Sequence, residues 1–109
     1  MEHNTFNKDF LAENLKNLRQ YCGFKTLEVA CFLNLSSSAY GYYENGRSTP
    51  PLDKLIKLAV LYGVTAHDLV RNPSELMAHL ERERKLADIK RELNLTEEQL
   101  FLFRFILDN

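Results

Sequence analysis

The 109-residue chain has no tryptophan, two cysteines, three prolines and four glycines, and neither sign of charge prevails, with 14 Lys and Arg against 15 Asp and Glu. Each shortage excludes something. Cys22 and Cys31 make no C-x-x-C pair, and His3, His67 and His79 lie far apart, so no cluster has metal-ligand spacing. Both thiols are expected in or near a core, the alternative being a disulfide between them. A net charge of −1 supplies no overall field to draw a polyanion, so any affinity for phosphate must come from local placement. No apolar run approaches the roughly 18–20 residues of a membrane span. The start, MEHNTFNKDF, is polar and shows no signal peptide. A reducing, cytoplasmic setting is expected. No Ser/His/Asp arrangement, paired-carboxylate pattern or phosphate-cradling glycine loop stands out, so neither an enzyme, a cofactor nor a small-molecule ligand is implied. Period-two alternation, repeats and low-complexity tracts are also missing.

What is present is helical. Apolar residues make up 45% and charged residues 27%, enough for a packed core. Phe10, Leu11, Leu15 and Leu18, with Tyr21 or Cys22, form a stripe at spacings of three and four, which predicts a helix over about 9–21 ended by Gly23. Val29, Ala30, Leu33 and Leu35 give a second helix, entered at Thr26, a better N-cap than Lys25. Ser36 caps a third helix, about 37–45, stopped at Asn45-Gly46. Two short helices across a tight corner make a helix-turn-helix outline. Pro50-Pro51 opens a fourth helix carrying Leu52, Leu55, Ile56, Leu58, Ala59 and Tyr62 and ended by Gly63. Thr65-x-x-Asp68 caps a short fifth, about 66–71. The fold class read from this pattern is all-α: five helices in residues 1–72, then a two-helix extension over 73–109.

Residues 11–71 resemble the DNA-binding domain of phage repressor/Cro-type (XRE-like) regulators. The resemblance rests on L-K-N-L-R at Leu15–Arg19, Val29-Ala30 with Leu33, Y-E-N-G-R at Tyr43–Arg47, and P-x-x-K-L-x-K-L-A-x-x-Y-G-V at Pro51–Val64. It implies that the third helix lies in the major groove of double-stranded DNA. It places Ser37, Ser38, Tyr42 and Thr26 at base edges, and Ser36, Asn45, Arg47 and Lys25 at phosphates. A DNA-binding face would then bring Arg47, Lys25 and Lys16 or Arg19 to the side of Ser37. Ser hydroxyls donate or accept, so they specify bases weakly. Gly41 interrupts the reading helix, where it either lets DNA approach closely or is simply tolerated.

The extension differs in character. Arg82, Arg84, Lys85, Lys90 and Arg91 alternate with Glu81, Glu83, Asp88 and Glu92, the mark of a solvated face with local ion pairs. Thr96-Glu97-Glu98-Gln99 is a capping box for a last helix, about 97–108. Seven of its eight residues from Leu100 to Leu107 are apolar. A helix apolar all round needs cover on more than one side. Dimerisation through Leu100, Phe101, Phe103, Phe105 and Leu107 is therefore expected. The resemblance implies a homodimeric transcriptional regulator, a repressor or activator on a two-fold operator. The alternative is a helical protein-interaction module, such as an antitoxin or antirepressor, on the same scaffold.

Overall fold

A computed structural model describes residues 7–107. Among these are seven helices and no strand: α1 (Lys8–Cys22), α2 (Thr26–Phe32), α3 (Ser37–Glu44), α4 (Leu52–Tyr62), α5 (Ala66–Leu69), α6 (Pro73–Leu93) and α7 (Glu97–Leu107). The ends are chemically marked. The Asn7 side chain accepts from the Asp9 and Phe10 amides at the start of α1. Gly23 and Gly63 close α1 and α4 at φ 78° and 69°, a left-handed geometry that excludes a β-carbon at little strain. Helix α5 stops short of the expected residue 71, because Val70 and Arg71 turn their amides onto His67 and Asp68 in a tighter, three-residue winding. The expected end of α7 at Asp108 lies outside the described residues.

The chain divides into two units, parting between Pro73 and Ser74. In the first, α1 packs on α3, α4 and α5, and α2 packs on α3. Leu11, Leu15 and Leu18 of α1 are buried with Val29, Ala30, Leu33, Tyr40, Leu58 and Leu69. Phe10 is only half-buried, and Tyr21, Cys22 and Cys31 are exposed. The expectation of core thiols is thus corrected: both cysteines are free and on the surface. Cys22 follows the last turn of the buried stripe, and Cys31 sits one residue beyond the buried Val29-Ala30 pair. On α4 the apolar residues serve two sides. Leu58, Ala59 and Tyr62 are buried, whereas Leu52, Ile56 and Val60, four apart, form an exposed ridge.

Polar groups tie the helices where the sequence pattern shows only apolar stripes. Asn14 is fully buried and its amide donates to the carbonyls of Leu69 (2.9 Å) and Arg71 (2.8 Å), so α1 satisfies carbonyls at and just past the end of α5. Thr65 and Asp68 cap α5 reciprocally at 3.0 Å each. Burial pushes the Asp68 carboxyl up, but the Thr65 backbone amide and the Arg71 guanidinium outweigh it and hold the pKa below its ordinary 3.8. A depressed carboxyl stabilises the fold above its unfolded pKa and loses that contribution as pH falls through the folded one. Asp68→Asn keeps an acceptor but drops the charge. It is expected to cost about 1 kcal/mol at neutral pH. In urea titrations repeated across pH, the gap from wild type should hold down to about 4 and narrow below it. A gap independent of acid would refute the assignment.

The second unit pairs α6 with α7. Asn94, at φ 53°, ends α6, and the Leu95 amide reaches back to Lys90. Thr96 and Gln99 form the expected capping box, at 2.9 and 3.2 Å. Lys90 pairs with Glu97, and Arg104 with Glu83, tying the two helices together. The pairs Arg84–Glu81 and Arg91–Asp88 run along α6, as its alternating charges predict. Leu76 and Leu86 are buried. No helix among the described residues is long and apolar enough to cross a membrane.

Candidate nucleic-acid interface

The corner between α2 and α3 is set by the backbone. Asn34 takes φ 59°, and the Leu35 amide folds back to the Ala30 carbonyl at 2.8 Å. Asparagine is among the few non-glycine residues that enter this region readily. The sharp residue thus precedes the serine run, which begins two residues past it. Ser36 Oγ then accepts the Ala39 amide at 3.1 Å and starts α3 as expected. At the other end of α2 the expectation needs correction. The N-cap is Lys25, and Thr26 is the first helical residue. An ammonium has no acceptor, so the cap comes from Glu28, whose carboxylate takes the Lys25 amide at 2.7 Å.

Helix α3 has two unlike sides. Tyr40 is fully buried, its hydroxyl 2.8 Å from that of Tyr62. Burial pushes both phenols up, Tyr62 to about 12; the contact raises Tyr40 further and draws Tyr62 back in part, and neither ionises near neutrality. Tyr43, half-buried, meets Tyr40 edge-on with centroids 6.2 Å apart. On the opposite arc, at helical spacings of three and four, lie Ser37, Ser38, Gly41, Tyr42 and Asn45. Ser38, Tyr42 and Asn45 are exposed and Ser37 is half-buried. Beyond them Gly46 turns at φ 81° and brings round Arg47, which is exposed. Ser36 and Lys25 are exposed and Thr26 is half-buried.

Arg19 is withdrawn from that side. Its guanidinium grips Glu44 with two bonds, Nε at 2.7 Å and Nη2 at 3.1 Å, and donates a third to the Phe24 carbonyl. Both side chains are largely buried, at 15% and 10% exposure. The hydrogen bond to Glu44 raises the already high pKa of the guanidinium, so Arg19 stays charged. Of the basic residues expected to share the face of Ser37, Arg19 is therefore a brace between α1 and α3. Lys16 remains exposed.

Gly41 lies mid-arc, and a β-carbon built on it meets nothing within 4 Å. Gly41→Ala is therefore expected to raise stability by about 0.5–1 kcal/mol, measured by thermal unfolding. If close approach to a duplex is its role, the same variant binds more weakly while melting higher. A lower melting temperature would show that the protein itself needs the gap.

The residues expected to carry dimerisation divide in a way their spacing concealed. Phe101 and Phe105 are 64% exposed, and beside them stand Leu102 and Ile106 at 61% and 67%, residues the sequence reading left out. Leu100 and Phe103 are half-buried. The Leu107 side chain lies outside the described residues. Among the described residues, no three His, Cys, Asp or Glu side chains are grouped to hold a metal.

Residues 11–71 match a family described as a helix-turn-helix domain. An HTH-type transcriptional regulator, DdrOP3, from Deinococcus deserti is 38% identical over 60 residues, covering 55% of this chain and 46% of that protein. An uncharacterised SPbeta prophage-derived HTH-type transcriptional regulator, YonR, from Bacillus subtilis is 36% identical over 59 residues, covering 54% and 55%. The chain thus spans about half the length of these curated relatives. Among solved structures, a hypothetical transcription factor, NHTF, from Neisseria superposes with a TM-score of 0.58 at 27% identity, over 65% of this chain and 82% of that one. A transcriptional regulator from Listeria innocua gives 0.53 at 26% identity, over 90% and 89%.

Proposed function

The chain belongs to the helix-turn-helix domain family through residues 11–71, and from that membership we propose that it is a transcriptional regulator that binds duplex DNA as a homodimer. Helix α3 enters the major groove. Ser37, Ser38, Tyr42 and Thr26 face base edges, while Ser36, Asn45, Arg47 and Lys25 hold phosphates. The observation that carries this is the division of α3 into a buried aromatic side and an open side of Ser37, Ser38, Gly41, Tyr42 and Asn45 that ends on the exposed Arg47. Side chains on an exposed helix face read bases, and basic groups at its margins fix register on the backbone. The names of the two curated relatives support the regulatory role.

Dimerisation follows from α7. Phe101, Leu102, Phe105 and Ile106 form one exposed apolar strip. Two such strips together offer on the order of 1,000 Å², about the least a specific interface buries. A two-fold dimer presents two copies of α3 to half-sites about one helical turn apart, or a multiple. Occupation of such a site blocks a promoter, which makes repression the simplest outcome.

Selection of bound sequences from a pool of random duplexes tests this. Enrichment of a palindrome supports both DNA binding and symmetry. A second reading, a protein-interaction module such as an antitoxin or antirepressor, is favoured by the exposed ridge of Leu52, Ile56 and Val60 on α4. Under that reading the selection enriches nothing.

A further inference from the structure

We propose that Tyr42 is a positioning residue for Arg47, so that the two act on DNA as one unit; this rests on the duplex-binding reading above. Three bonds fold the segment after α3 back onto its last turn. The Tyr42 carbonyl accepts the amides of Arg47 (3.0 Å) and Ser48 (3.2 Å). The Asn45 side chain also accepts the Arg47 amide at 3.0 Å. With Gly46 at φ 81°, this fixes where the Arg47 side chain departs from the backbone. The side chain then returns over α3, with Cζ 5.3 Å from the centre of the Tyr42 ring.

The chemistry of the pair makes it an instrument for phosphate. A guanidinium over an aromatic face is attracted by the ring's electron density. Its five N–H donors lie in its own plane, so a cation held over the ring can keep donors directed away from it. An unsupported arginine on a loop samples many rotamers and loses that freedom when it meets phosphate. An arginine held over a ring has already lost part of it. Tyr42 thereby contributes to backbone affinity without carrying charge. Its outer ring face and hydroxyl stay available to bases, which couples register on the backbone to the position of the one aromatic reader. Lysine at 47 keeps the charge but lacks the plane.

The test is a double-mutant cycle on the full chain, using a fluorescent duplex of mixed sequence at about 50 and about 200 mM salt. Tyr42→Ala and Arg47→Ala are each expected to weaken binding roughly three- to tenfold at low salt, and the double variant no further than the weaker single one. Tyr42→Ala should also reduce the salt slope by about one, although no charge is removed. Tyr42→Phe, which keeps the ring, should keep the wild-type salt slope whatever its hydroxyl contributes at base edges. In the free protein, the Arg47 side-chain protons should show an upfield ring-current shift that Tyr42→Ala abolishes and Tyr42→Phe retains. Multiplying losses, or an unchanged salt slope in Tyr42→Ala, would overturn the inference while leaving DNA binding intact. Absence of any duplex binding by the wild type would overturn both.

Discussion

Arg19→Ala is expected to lower the unfolding free energy of the first unit by about 2–4 kcal/mol. The magnitude comes from what is left behind. Glu44 is 10% exposed, and without its partner it becomes a buried carboxylate that has lost two charged hydrogen bonds. The Phe24 carbonyl loses its donor as well. Removing one member of a buried pair costs far more than the pair contributes, because the survivor cannot recover water. Arg19→Met with Glu44→Leu is accordingly expected to recover most of the loss. Urea unfolding of the three proteins checks both statements. A loss below about 0.5 kcal/mol for Arg19→Ala would place the pair among solvated surface ion pairs. The functional consequence is separable. Glu44 ends α3, so even the stable double variant has a less firmly oriented reading helix. Weaker duplex binding at full stability is the expected sign.

The second large effect concerns association. Phe101→Glu with Phe105→Glu is expected to convert a dimer into a monomer, seen by sedimentation, and to reduce affinity for a two-fold operator by about 10²–10⁴. Both side chains are 64% exposed, so the charges enter water in the isolated chain and the fold should change by no more than about 0.5 kcal/mol. In a dimer the same four carboxylates, two from each chain, would be buried against one another. Phe103→Ala supplies the contrast. Its ring is half-buried, so its loss should lower the melting temperature more than it shifts the association equilibrium. A double variant that still sediments as a dimer would remove α7 from the interface.

The helices were legible because their ends carry local chemistry. Ser36, the Thr65/Asp68 pair, the Thr96/Gln99 pair, Gly23 and Gly63 all act within four residues of themselves. What escaped is non-local or lacks phase. Arg19 and Glu44 lie 25 residues apart, and nothing in the L-K-N-L-R run says which cation turns inward. Asn14 sits among leucines as a polar residue, yet it is fully buried because two carbonyls at the end of α5 need its amide. Helix α2 starts one residue before its better side-chain cap suggests, because Glu28 in the first turn supplies the cap that Lys25 lacks. In α7 an octet apolar at seven positions has no periodicity to read, so the strip of Phe101, Leu102, Phe105 and Ile106 emerges only once the helix has a neighbour. For the reading face the limit is chemical. Ser37 and Ser38 are ambidextrous in hydrogen bonding, so a base sequence is not encoded in their identity.

The two surface thiols bear on how any of this is measured. Cys22 and Cys31 are both free and exposed, and they stand on helices other than α7. In air, either can join two chains through sulfur, producing a covalent species with the mass expected of the α7 dimer. Partial burial pushes the Cys22 thiol up, which keeps it protonated and slows its oxidation and alkylation near neutrality. Replacing both cysteines by serine is expected to leave a reversible, concentration-dependent dimer and to abolish the fraction that resists detergent. The same replacement turns each position into a vacant labelling site, so that a single reintroduced thiol can report on α1 or α2 alone.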